Sequence, residues 1–303
     1  MPGPDAKVPV SVVLLTYNEE LNVEHALRSV AGWADEILVV DSSSTDGTLD
    51  ICRKYTDKIY QHAFENHGKQ VNWALDNVPI RNPWVMQLDA DEMITPELAA
   101  ELAESLPGLP AETTGLYMKR RVYFFGRWIK HGDYYPIWLL RVFRKGKARN
   151  EEFEEDRVIL LEGAAAHAKN DFIDYNRRGL SLWVDKHNAW AINEMRDTLG
   201  LNEGTGIAAA LSGRQDQRRR WYKKNLYARL PLFVRAFGYF FYRYFIKLGF
   251  LDGKEGLIFH FMQGCWYRFL VDAKIFELKK FGKAQAESRP SYSAQKPEST
   301  KEA

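Results

Sequence analysis

Val10-Ser11-Val12-Val13-Leu14-Leu15, followed at once by Thr16-Tyr17-Asn18-Glu19-Glu20, is the stretch on which the fold turns. The first part is a nearly unbroken apolar, β-branched run, which suits a strand buried on both faces rather than one that alternates. The second part is abruptly polar. The same switch recurs where Ile37-Leu38-Val39-Val40 runs into Asp41-Ser42-Ser43-Ser44-Thr45-Asp46-Gly47, and where Trp84-Val85-Met86-Gln87-Leu88 runs into Asp89-Ala90-Asp91-Glu92. Between these runs, Asn22 to Val30, Thr48 to Tyr55 and Gln70 to Leu75 space their apolar residues by three and four, with Ser44, Thr45 and Asp46 available to cap the second helix. This βαβα order predicts a mostly parallel sheet flanked by helices. Ligands of such sheets bind beyond the carboxyl ends of the strands, so the three polar ends are expected to converge on one pocket.

Asp89 and Asp91 stand one residue apart just past a strand. That spacing suits a hard divalent cation, which needs oxygen ligands and keeps positions open for diphosphate oxygens. A cation so held neutralises charge on a leaving nucleoside diphosphate. The same acids also suit a solvated turn that caps the helix after Pro96, and the local pattern leaves both readings open.

The chain has 303 residues, 46% hydrophobic and 27% charged, enough to bury a full core. Its 42 lysines and arginines nearly balance 40 acids, so no overall field argues for nucleic acid as a partner. Cys52 and Cys265 lie in no metal or redox spacing, which fits inert core thiols in a reducing compartment. The start, Met1 to Lys7, has no basic cluster leading into an apolar stretch, so no secretory signal is expected. The end, from about Gly282 to Ala303, is rich in Ser, Pro, Lys, Glu and Gln and reads as a disordered tail.

From Gly115 to Gly163, short β-like runs mix with a basic stretch and predict a mixed sheet edge with acceptor-side loops. Asp171 to Leu199 reads as helical. Leu230 to Phe250 is long enough to cross a bilayer, but Arg235, Arg243 and Lys247 interrupt it and Pro231 opens it. On one helix the three cations fall within about a third of the circumference, opposite a broad Phe, Tyr and Leu face. That predicts a helix lying in a membrane interface. Gly256 to Leu278 repeats the mixture, with Trp266 and Tyr267 beside Arg268 and with Phe259, Phe261, Phe269 and Leu270 as points of insertion. The alternative is a helical hairpin packed on the catalytic domain or on a second subunit of a homo-oligomer.

Taken together, Thr16-Tyr17-Asn18-Glu19, Asp41 to Thr48 and Leu88-Asp89-Ala90-Asp91-Glu92 come in the order and spacing of family 2, GT-A type glycosyltransferases, which the chain resembles over about its first two thirds. The resemblance implies a GT-A catalytic domain over 1–200, an amphipathic helical membrane-association region over 201–281 and the tail over 282–303. It places Thr16, Asn18, Glu19 and Asp41 around a nucleobase and ribose, with Lys69, Asn72 and Asp89 toward the diphosphate. Asp89 and Asp91 would hold Mg²⁺ or Mn²⁺, and His167 resembles a histidine that some relatives add as a further metal ligand.

An inverting transfer needs one carboxylate to take the acceptor proton. The family places it well downstream of the metal motif, which points to Asp156 first and Glu155 second. Gln217-Arg218-Arg219-Arg220-Trp221 fits the Gln-x-x-Arg-Trp pattern of processive family 2 synthases, so Gln217, Arg220 and Trp221, with Arg144 of the basic stretch Arg141 to Arg149, are placed on the acceptor or diphosphate side.

The C-terminal part, with His131-Gly132 and Asp185-Lys186-His187-Asn188, is similar to bacterial enzymes of lipopolysaccharide-core, capsule and exopolysaccharide assembly. This implies a UDP-sugar donor and a lipid-linked saccharide or lipopolysaccharide-core acceptor. It also implies a peripheral place on the cytoplasmic face of the inner membrane. A processive synthase is disfavoured because several membrane spans are missing. A sugar-phosphate nucleotidyltransferase needs a glycine-rich loop that Thr16 to Leu21 lacks. The remaining rival is a non-catalytic membrane-docked scaffold.

Overall fold

The computed structural model describes residues 7–151, 158–201, 211–212 and 215–282. The chain divides into two compact units: Met1–Arg178 with Arg243–Ile258, and Gly179–Tyr242 with Phe259–Ala303. The segment Arg243–Ile258 thus belongs with the first unit.

In the first unit the elements run β1 (Val8–Thr16), α1 (Val23–Ala31), β2 (Ala34–Asp41), α2 (Thr48–Cys52), β3 (Ile59–Gln61), α3 (His67–Asn77), β4 (Trp84–Asp89), β5 (Glu92–Ile94) and α4 (Pro96–Ser105). They continue with β6 (Thr113–Phe124), β7 (Arg127–Trp128), β8 (Ile137–Arg144), β9 (Ala148–Asn150), β10 (Val158–Leu160) and β11 (Ala164–Asp174). The main sheet has the order β3-β2-β1-β4-β8-β6-β11-β5, with β7 on the side of β6 and β9 with β10 as a separate pair. Its first four strands are parallel. β8 joins them antiparallel and β6 pairs antiparallel with β8, so the sheet is mixed rather than mostly parallel.

The parallel half is apolar on both faces, as the sequence requires. Val12 and Leu14 of β1 join Val23 and Leu27 of α1 in one core, while Val13 joins Leu38, Val40 and Val85 on the other face. The N-cap of α2 is Gly47 rather than Ser44, Thr45 or Asp46, although Asp46, just before it, accepts the Thr48 N–H at 3.0 Å. Asp171 to Asp174, expected to be helical, is instead the end of β11: Phe172, Ile173 and Asp174 pair with Ile94, Met93 and Glu92 of β5. A local helical pattern yields here to a waiting strand edge.

The second unit contains α5 (Gly179–Thr198), α6 (Gln215–Asn225), α7 (Val234–Phe241) and α9 (Tyr267–Phe281), and α8 (Gly253–Phe261) runs from the first unit into it. α5 and α9 share a core of Ala191, Ile192, Met195, Tyr267, Val271 and Ile275. Two ion clusters fasten these helices, the first buried and the second half-buried. Arg235 bonds through Nε to Asp272 at 2.8 Å, and Glu194 takes Arg268, Lys223 and the Tyr267 hydroxyl. Burial alone would push the Glu194 carboxyl up, but the cations Arg268 and Lys223 bring it down to about 2.

No helix among the described residues is long and apolar enough to cross a membrane. The single interfacial helix with outward cations is also not what forms. α7 ends at Phe241 and passes into a π turn, Tyr242–Ile246, and Leu248 is left-handed at φ 60. Arg235 and Arg243 are each 3% exposed, one on Asp272 and the other donating to the Gly132 carbonyl at 3.0 Å. The reason is pairing: inside the protein these cations meet a carboxylate and a carbonyl, so they face inward and the aromatic residues face out. Phe259, expected to insert, is buried, and Leu270 is half-buried, whereas Phe261 and Phe269 are exposed.

Candidate active site

Strand register brings the three polar ends together. Thr16 of β1 sits opposite Asp41 of β2, and Leu15 sits opposite Asp89 of β4. Asp41 is fully buried, and its carboxylate accepts from the Thr16 hydroxyl at 2.8 Å, from the Ser44 N–H at 2.8 Å and from Gln61 Nε2 at 3.0 Å. Its observed part is to fix two loops against each other.

Asn18 stands at φ 51, a left-handed conformation that asparagine tolerates better than most residues, and its side-chain oxygen accepts the Thr45 N–H at 2.8 Å. Ser43, at φ 64, is a second left-handed residue in the same loop pair. Glu19 is buried, bonded to Asn22 at 2.8 Å and to Arg178 at 2.7 Å. Arg178 also donates to the carbonyls of Tyr17 and Asn18.

The acidic turn is not a helix cap. Thr95 caps α4, accepting the Leu98 N–H at 3.2 Å, which leaves Asp89, Asp91 and Glu92 for other work. Arg141 of β8, 1% exposed, donates to Glu92 Oε1 at 2.6 Å and reaches Asp89 Oδ2 at 3.3 Å. Glu92 Oε2 accepts the Asp89 N–H at 3.1 Å, and His67 Nε2 lies 3.1 Å from Asp89 Oδ1. Asp91 is half-buried and takes Asn176 Nδ2 on Oδ2 at 2.8 Å, while its carbonyl accepts the Tyr175 N–H. Its second carboxylate oxygen has no hydrogen bond among the described residues.

Among the described residues no group of three His, Cys, Asp or Glu side chains could close around a metal ion. Two carboxylates of this kind still fit Mg²⁺ or Mn²⁺, because such hard cations are commonly held by one or two carboxylates and complete their shell with water and phosphate oxygens. His167 does not join them. It lies seven residues before Asp174 on β11, roughly 20 Å of strand away from the Glu92 pairing, and its ring packs on Tyr117 and Trp138.

Other expected residues are engaged within the protein. Arg144 pairs with Trp84, at the opposite end of β4 from Asp89, and donates to the carbonyls of Leu109, Pro110 and Thr113. The basic stretch around it is likewise engaged internally: Lys145 with the Ile80 carbonyl, Lys147 with Glu162, Arg149 with Asp76. Lys69 is exposed and paired with Glu65. Asn72 exchanges two bonds with the Asn150 backbone, at 3.0 and 2.9 Å, and so clamps the end of β9.

Glu151, next in the chain, is 5% exposed. Asp156 and Glu155 lie outside the described residues. Gln217, Arg220 and Trp221 fall on α6 of the second unit and are half-buried.

Sequence reading missed His67, Asn176 and Arg178. For the last two a signal existed, since Tyr175-Asn176-Arg177-Arg178 is one more polar cluster directly after a strand. Arg141 was counted with the basic acceptor-side stretch, whereas it contacts the acidic turn.

Residues 11–160 match the sequence family described as Glycosyl transferase family 2. The lipopolysaccharide core biosynthesis glycosyltransferase LpsC of Rhizobium meliloti is 27% identical over 281 residues, covering 89% of this chain and 93% of that protein. An uncharacterized glycosyltransferase of Rickettsia conorii is 36% identical over 93 residues, about a third of each chain (31% and 32%). Among solved structures, a mannosyltransferase of Pyrobaculum calidifontis in complex with GDP-Man and Mn²⁺ is 14% identical, covers 91% of this chain and 89% of its own, and superposes with a TM-score of 0.49. Through its residues 11–160 the chain belongs to glycosyl transferase family 2.

Proposed function

We propose that this glycosyltransferase moves a sugar from a UDP-sugar, with inversion, to a lipid-linked or lipopolysaccharide-core saccharide at the cytoplasmic face of a bacterial inner membrane. The observation that carries the reading is the in-register meeting of Thr16, Asp41 and Asp89, with the Asp91 turn beside them. The acceptor class rests on the similarity to LpsC over most of both chains.

Asp89 and Asp91 hold Mg²⁺ or Mn²⁺, with Arg141, His67 and Asn176 setting the orientation of the two carboxylates. The cation, when bound, neutralises charge on the departing UDP. Thr16, Asn18, Glu19 and Asp41 shape the floor for uracil and ribose. One carboxylate takes the proton from the acceptor hydroxyl as its oxygen bonds to the anomeric carbon and the bond to UDP breaks on the opposite face. Asp156 and Glu155 are the proposed bases. Buried Glu151, at the clamped end of β9, is the third carboxylate of that segment to be tested.

Asp91→Ala is expected to lower transfer by at least about a thousandfold and to remove metal-dependent UDP binding, with the thermal unfolding curve preserved. UDP binding that keeps its metal dependence in this variant would sink the assignment. Asp156→Asn, Glu155→Gln and Glu151→Gln separate the bases, because only the true base lowers kcat while leaving UDP affinity intact. The anomeric configuration of the product, read by NMR, decides inversion.

A further inference from the structure

In the second unit, Val234, Phe237 and Phe241 lie on one side of α7 at 65%, 56% and 55% exposure, and Phe269 and Phe276 of α9 are 40% and 48% exposed. These side chains are neighbours: the Phe237 and Phe269 rings are 6.1 Å apart, and Phe233 bridges Phe269 at 4.9 Å and Phe276 at 6.1 Å. A contiguous aromatic surface of this kind is unusual on a free monomer and marks an interaction site.

We infer that this α7–α9 face inserts into an anionic phospholipid surface and docks the enzyme mainly by apolar burial, with cations only at its rim. The inference deepens the proposed peripheral membrane location and rests on it.

Charge selects the occupant. Within the second unit, across 226–242 and 259–276, the exposed charged side chain is the cation Arg229, and the acid Asp272 is buried. Lys279 and Lys280 follow on α9 with one exposed acid, Glu277. Lys280 lies over the Phe276 ring at 5.8 Å, an arrangement of cation above aromatic that suits lipid phosphates. The chain's own segment 283–303 carries Tyr292 as its only large apolar side chain, too little to cover five apolar residues.

Arg235, which a sequence pattern would assign to headgroups, is held on Asp272 and is withdrawn from the surface. Salt is therefore expected to weaken binding only in part, since the apolar contribution is not screened.

The test is co-sedimentation of the full chain with vesicles of phosphatidylcholine alone and of phosphatidylcholine with phosphatidylglycerol, at low salt and at high salt. Wild type is expected on the anionic vesicles, with a substantial fraction remaining at high salt. Phe237→Ser and Phe276→Ser are each expected to weaken binding about tenfold, with thermal unfolding nearly unchanged. Lys279→Glu with Lys280→Glu should lower binding at low salt only.

The inference is overturned if the Phe variants sediment like wild type. It is equally overturned if they convert a dimer to a monomer, by analytical ultracentrifugation, without changing vesicle binding. Slow hydrolysis of UDP-sugar, assayed without lipid, separates the two readings. Hydrolysis without vesicle binding removes the docking alone, and vesicle binding without hydrolysis removes the transferase reading while the docking stands.

Discussion

The two units bury charge for different ends. In the sheet unit, buried Arg141 and Glu92 meet half-buried Asp89 at the carboxyl end of β4, where a substrate's phosphates are proposed to sit. In the helical unit, Arg235 with Asp272 and Arg268 with Glu194 tie helix to helix, and the apolar residues turn outward. A buried ion pair thus says little about function by itself. Its position at a strand end or between helices decides.

The largest expected effects break this comparison in both units at once. Arg141→Met leaves Glu92 buried without its guanidinium, and Arg235→Met does the same to Asp272. Each should cost about 3–5 kcal/mol in denaturant unfolding. Only Arg141→Met should also weaken UDP binding under conditions where the protein stays folded, and only Arg235→Met should be largely rescued by adding Asp272→Leu. Loss of UDP affinity in Arg235→Met would erase the division of labour.

Acid should separate the units next. His187 on α5 accepts on Nε2 from Gln263 at 2.9 Å while Nδ1 donates to the Trp183 carbonyl at 2.7 Å, so the fold uses the neutral ring. Burial, with the cations Lys186 and Arg268 nearby, lowers its pKa to about 4. A depressed histidine favours the fold above its unfolded value of about 6.5, and that contribution, about 3 kcal/mol in all, is lost as pH falls from there to about 4.

Asp171 in the sheet unit behaves differently. Burial pushes its carboxyl up, but Arg121, Lys119 and Tyr135 hold it below the usual value. Its stability is present above its unfolded pKa and is lost only at lower pH, as pH falls through the depressed one. Thermal scans followed by hydrogen exchange near pH 5 should show the helical unit opening first. Simultaneous opening of both units would count against this assignment.

A smaller effect sharpens the loop geometry. Thr16→Val removes one of the donors to fully buried Asp41 and should cost about 1–3 kcal/mol in unfolding. UDP affinity should fall with it, since the same contact sets the loop spacing.

The parallel strands and their polar ends were legible because a strand buried on both faces leaves an apolar run that stops abruptly. Asp89 and Asp91 were legible for the same reason. Arg141 was legible only as one charge of a basic stretch, since its partners come from β4 and β5, 52 and 49 residues earlier. Arg144, three residues on, drew attention as a charge but supports only the loop from Leu109 to Thr113. In the helices the amphipathic pattern was real, but Arg235 and Arg243 turn inward, because a cation's direction depends on whether Asp272 or Gly132 awaits it.

The smallest expected effect contrasts two phenylalanines. Phe172 of β11 is fully buried and Phe237 of α7 is 56% exposed. Phe172→Ala removes a ring from the sheet core and should cost about 3–5 kcal/mol, as large-to-small core changes do. The same change at Phe237 forfeits only part of its contact with Phe269 and should cost under about 1 kcal/mol in unfolding. Its effect belongs to vesicle binding instead. If Phe237→Ala destabilised the free protein as much as Phe172→Ala, the ring would be core, and the outward aromatic face would have to be read as packing rather than as a surface kept for lipid.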